Sequence, residues 1–83
     1  MLIETRSELG EAAIIHRAHE YFGGELGMSA ETETTTAVSF SGEQGVVSIS
    51  VDEDGPDSNV QVVTEGLEGK ARQFLATIAG AAG

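Results

Sequence analysis

Gly45-Val-Val-Ser-Ile-Ser-Val-Asp-Glu-Asp-Gly-Pro-Asp-Ser-Asn-Val-Gln-Val-Val-Thr-Glu65 is the stretch that decides the fold. In its first half Val47, Ile49 and Val51 alternate with Val46, Ser48, Ser50 and Asp52. In its second half Val60 and Val62 alternate with Asn59, Gln61 and Val63. A period of two gives a strand with one apolar face and one small or polar face. Asp54-Gly55-Pro56-Asp57 lies between the halves and supplies turn residues, so the two strands form a hairpin. Upstream, Gly42-Glu43-Gln44-Gly45 reads as a second hairpin loop. Before it, Thr34, Thr36, Val38 and Phe40 alternate with Glu33, Thr35, Ala37 and Ser39 across residues 32–41. The expectation is an antiparallel meander of three strands, 32–41, 45–53 and 58–65.

Outward from the meander the period changes. Leu67, Ala71, Phe74, Leu75, Ile78 and Ala79 follow i, i+4, i+7, i+8, i+11, i+12, which predicts an amphipathic helix over 66–80. Residues 8–22 read as another helix, with Ile14, Ile15, Ala18, Tyr21 and Phe22 on one broad face and His16, Arg17 and Glu20 opposite. Ser7 is placed to cap that helix, Glu8 and Glu11 suit its first turn, and Gly23-Gly24 is expected to end it. Residues 1–6 read as a short strand pairing at an edge of the meander. The order β-α-β-β-β-α makes an α+β two-layer sandwich, an antiparallel sheet with two helices packed on one face.

The chain has 83 residues and reads as a single domain, with 80–83 as a frayed tail. A domain this small buries only about 60% of the surface its unfolded chain exposes, so association would add needed stability. Fourteen acidic residues against four basic ones give a net charge of −10. Nucleic acid and anionic membranes both select a basic face, so neither is an expected partner. The charge also fits a salt-rich cytoplasm, where self-repulsion is screened. Without cysteine there are no disulfides and no thiolate chemistry. The start, Met1-Leu2-Ile3-Glu4, shows no secretory pattern, so a cytoplasmic location is expected.

Tyr21-Phe22-Gly23-Gly24, the hairpin around Gly42–Gly45 and Val60–Val63 leading into Arg72-Gln73-Phe74-Leu75 resemble small prokaryotic proteins of a shortened helix-grip kind, like START and Bet v 1 domains. That resemblance implies a sheet gripping a long C-terminal helix, with apolar space between them for a small ligand. It assigns no functional residue.

Three local patterns suggest chemistry. His16, His19 and Glu20 cluster on the first helix, and His16 and Glu20 at i, i+4 can share a proton or a cation. Their order is not the H-E-x-x-H of zinc proteases, and a solvated ion-paired face explains them without metal. Ser50-x-Asp52-x-Asp54-Gly55 opens like a calcium loop, but the last ligand position falls on Gln61 and the flanks are strands. Gly66-Leu-Glu-Gly69-Lys70 has two residues where a phosphate loop has four, and Ala71 stands where a hydroxyl would bind magnesium. No cofactor motif is present and no catalytic or metal-binding residue is assigned.

Two surfaces remain as candidates. Thr35, Ala37, Ser39, Val46, Ser48, Ser50 and Val63 fall on the outer face of the sheet, which is free of acids in a strongly acidic chain. Charge depletion marks the centre of interfaces, and flat small-residue faces suit sheet-on-sheet packing. Tyr21, Phe22, Met28, Phe40 and Phe74 form either the core or the lining of an apolar pocket between sheet and helices. The expected function is a non-catalytic interaction module that self-associates, as a dimer, through the outer face or an edge strand. The alternatives are a carrier of a small apolar ligand, and a metal-dependent or acid–base enzyme using His16, His19 and Glu20.

Overall fold

The computed structural model describes residues 1–79, so the tail expected at 80–83 lies outside the described residues. The elements are β1 (Leu2–Ser7), α1 (Glu11–Ala18), a π-helical segment (His19–Glu25), β2 (Ser29–Glu33), β3 (Ala37–Gly42), β4 (Gly45–Asp54), β5 (Asp57–Glu65) and α2 (Glu68–Ala79). The sheet has five strands in the order β1-β5-β4-β3-β2, all antiparallel. The fold is the expected α+β sandwich, with one face of the sheet covered by the helices.

The core follows the two periodicities. Val38, Phe40, Val47, Ile49, Val51, Val60 and Val62 point inward from β3, β4 and β5. Ile14, Ile15, Ala18 and Phe22 meet them from the first helix, and Ala71, Phe74, Leu75 and Ile78 from α2. Leu67 is buried just before α2, whereas Ala79, the last of the predicted stripe, is exposed. Each fully buried Val, Ile, Leu or Phe side chain contributes about 1.5–3 kcal/mol relative to exposure.

The single strand expected at 32–41 is two strands. Residues 34–36 bend between β2 and β3, where Thr34 N–H donates to the Ala37 carbonyl and Thr36 N–H to Thr34 Oγ1. The threonine hydroxyl supplies the turn that glycine or asparagine usually supplies. Thr35 therefore leaves the outer face and sits in the bend.

The first helix also differs at both ends. Its N-cap is Gly10, without a side-chain cap, because Ser7 stays in β1 opposite Ser58. The buried Ser7 hydroxyl instead accepts from Leu9 N–H (3.1 Å) and donates to the Ile78 carbonyl (2.8 Å). Ser58 Oγ donates to the Leu9 carbonyl (2.9 Å), so two serines satisfy the buried loop backbone. At the C-terminal end Gly23-Gly24 does not stop the helix but rides inside the π-helical segment. Leu26 N–H donates to the Tyr21 carbonyl (3.0 Å) and Met28 N–H to that of Phe22 (2.9 Å), wide turns that end at Gly27 with φ +66°.

Candidate functional site

The outer face is built by strand alternation alone. Cross-strand register aligns Leu2 with Val63, Val63 with Ser48, Ser48 with Ser39 and Ser39 with Thr32. A neighbouring row runs Glu4–Gln61–Ser50–Ala37, and another Glu65–Val46–Ser41–Ser29. Six of the seven expected interface residues, Ala37, Ser39, Val46, Ser48, Ser50 and Val63, thus share one continuous surface, and Thr35 does not. A shallow groove of about 200 Å³ crosses Thr32, Ala37, Ser39, Ser48 and Ser50, where small side chains leave the sheet uncovered.

Sequence reading overlooked Leu2, which joins this surface from the edge strand. Among the described residues, four large apolar side chains are exposed: Met1, Leu2, Val46 and Val63. Leu2, Val46 and Val63 are each about half exposed (55%, 47% and 52%) and occupy adjacent rows of the outer face. The face expected to be free of acids does carry them, but at its margins, at Glu4, Asp52, Asp54, Asp57 and Glu65, with Arg6 among them. Arg6 donates to Asn59 Oδ1 (2.9 Å) and stands 3.8 Å from Asp54 and 3.6 Å from Asp57, partly neutralising the β4–β5 turn.

On the covered face, Tyr21, Phe22, Phe40 and Phe74 form a chain of ring contacts. Phe22 lies 5.7 Å from Phe40 and 5.3 Å from Phe74, and Tyr21 stacks 5.9 Å from Phe74. The three phenylalanines are buried, while Tyr21 and Met28 are partly exposed at the edge of the cluster. Tyr21 donates its hydroxyl to Gln73 Oε1 (3.0 Å). Burial first, and the Glu25 carboxylate second, hold its phenol above the ordinary range, so it stays neutral at physiological pH.

His16, His19 and Glu20 separate into two pairs. His16 Nε2 stands 3.6 Å from Glu20 Oε1 on a solvated helix face. His19 turns toward the sheet, 2.7 Å from Glu33 Oε1 of β2 and edge-on to the Phe40 ring at 5.3 Å. An open groove of about 490 Å³ runs between α1 and the β2–β3 bend, touching Ile15, His16, His19, Glu33 and Thr35. The His19–Glu33 partnership spans fourteen positions and has no signature in the sequence. Among the described residues, no group of three or more His, Cys, Asp or Glu is placed to hold a metal ion. The acids of the calcium-like stretch lie on the β4–β5 hairpin, and the glycines of the phosphate-like stretch flank the start of α2.

No protein-family model matches the chain, and no curated protein matches it. Among the described residues no helix is long and apolar enough to cross a membrane.

Proposed function

We propose that this protein is a non-catalytic module that self-associates through the outer face of its sheet. The observation that carries this is Leu2, Val46 and Val63, half exposed on adjacent rows of a surface whose centre holds no charge. The helices cover one face of the sheet only, and the other presents apolar and hydroxyl groups to water. Serine and threonine hydroxyls both donate and accept, so the face is complementary to itself.

Size and charge set the strength. Five strands about 4.8 Å apart and about six residues long make a face on the order of 500 Å², so a stacked pair buries roughly 1,000 Å². That is the low end for a specific interface, and association is weak and concentration-dependent. Each copy carries a net charge of −10, which opposes approach at low ionic strength. Molar salt shortens the screening length to about 3 Å and removes most of that repulsion. A salt-rich cytoplasm is the environment in which this module would work best, and the helix-grip resemblance adds no residue to the reading.

Light scattering from low to molar salt, over a concentration series, tests the proposal. A mass rising from monomer toward dimer, more steeply in high salt, supports it. A monomer at millimolar concentration in molar salt overturns it.

A further inference from the structure

A second surface, independent of the outer face, lies along the free edge of β1. Met1 and Thr64 exchange two main-chain hydrogen bonds, Thr64 N–H to the Met1 carbonyl and the Met1 amino group to the Thr64 carbonyl, both 3.0 Å. In an antiparallel ladder such bonded pairs alternate with non-bonded ones. Ile3, Thr5 and Ser7, opposite Val62, Val60 and Ser58, therefore spend their main-chain groups on β5. Leu2, Glu4 and Arg6 then aim their N–H and C=O groups away from the sheet. Among the described residues this is an unpaired edge, with three regularly spaced donor–acceptor sets.

Charge selects the occupant. β1 carries Glu4 and Arg6 two positions apart on the outer face. When two copies of β1 run antiparallel about a dyad at Thr5, Glu4 of each meets Arg6 of the other. Both residues belong to the outward-aiming set, so the same register gives main-chain bonds and two opposite-charge pairs. A dyad at Glu4 would add bonded residues but set Glu4 against Glu4, which like-charge repulsion disfavours. Arg6 can take the extra partner: among the described residues only Asn59 is within hydrogen-bond distance, and Asp54 and Asp57 are farther off. The opposite edge is guarded. β2 has Glu31 and Glu33, no basic residue and a bulge between Ala30 and Thr32, the devices that keep edges from pairing.

We infer that two copies of this chain join through their β1 edges, antiparallel about Thr5, into one continuous ten-stranded sheet. The pairing is homotypic, and its specificity resides in the Glu4–Arg6 exchange.

The test uses Glu4→Lys and Arg6→Glu, each alone and mixed. Each variant alone places like charges opposite each other. In the mixture the introduced lysine of one chain meets the introduced glutamate of the other, and the native Arg6 of the first meets the native Glu4 of the second. Native mass spectrometry at about 0.1 M ammonium acetate is expected to show each homodimer weakened about tenfold or more, and the mixed dimer restored. A control pair with the same net charges, Glu20→Lys and Arg17→Glu, is expected to leave the homodimers intact. Glu4→Pro removes only an outward N–H, and it is expected to abolish pairing while circular dichroism stays native. Homodimers of both edge variants at wild-type strength, or a control pair behaving like the edge pair, would overturn the edge assignment. Ser48→Glu separates this surface from the outer face: loss of assembly in Ser48→Glu but not in Glu4→Pro also overturns the edge assignment and leaves the outer-face reading standing.

Discussion

Gly45 and Gly66 face each other at the end of the β4–β5 pair so closely that neither position has room for a side chain. A Cβ on Gly45 would collide with the Glu65 carbonyl oxygen, and one on Gly66 with that of Gln44. Both residues have positive φ, +148° and +89°, a region L-residues avoid. This contact brings the β3–β4 turn against the start of α2, so it fixes where the C-terminal helix crosses the sheet.

Gly45→Ala and Gly66→Ala are each expected to cost about 2–4 kcal/mol, from the left-handed backbone and the carbonyl collision together. Gly69→Ala is the control. It lies in the first turn of α2 with nothing within 4 Å of the added methyl, so it is expected to stabilise by about 0.5 kcal/mol. Thermal unfolding of the three variants gives the comparison. Equal midpoints for Gly66→Ala and Gly69→Ala would contradict the account.

Ser7 joins β1, the following loop and the end of α2 through one hydroxyl. Ser7→Ala leaves the Leu9 N–H and the Ile78 carbonyl without their partner, at about 2–4 kcal/mol by urea unfolding. Ser58→Ala strands only the Leu9 carbonyl, and about 1–2 kcal/mol is expected. A larger loss in Ser58→Ala than in Ser7→Ala would show that the loop is held differently.

Tyr21 gives a pH dependence with a definite sign. Its folded phenol ionises above the ordinary value of 10.0, so the folded state holds that proton more tightly than the unfolded chain. The associated stability is complete below pH 10 and is lost as pH rises through the folded value. Between pH 9 and 11 the wild type is expected to lose thermal stability faster than Tyr21→Phe, which has no proton to lose. Parallel curves would rule out this contribution.

Much of the fold is legible in the sequence, because β4, β5 and α2 carry unbroken hydrophobic periods that tertiary contacts reinforce. What is hidden has physical reasons. The bend at Thr34–Thr36 uses the hydroxyl of Thr34, a residue type that also favours strands, so alternation runs through it without a break. The π-helical winding satisfies its backbone past Gly23-Gly24, where glycine normally signals a stop. Ser7 reads as a cap by residue type, but its partner Ile78 lies 71 positions away. The outer face is legible at Ala37, Ser39, Val46, Ser48, Ser50 and Val63. Leu2 is missed because one apolar residue on a short edge strand shows no face of its own until register sets it beside Val63.

Ser48 sits at the centre of the outer face, between Ser39 and Val63, so a carboxylate there tests self-association most directly. Sedimentation equilibrium of wild type and Ser48→Glu in molar salt is the measurement, with circular dichroism confirming that both fold. The account predicts association beyond the edge-paired dimer for the wild type and association that stops at that dimer for Ser48→Glu. A variant that associates as the wild type does would contradict it.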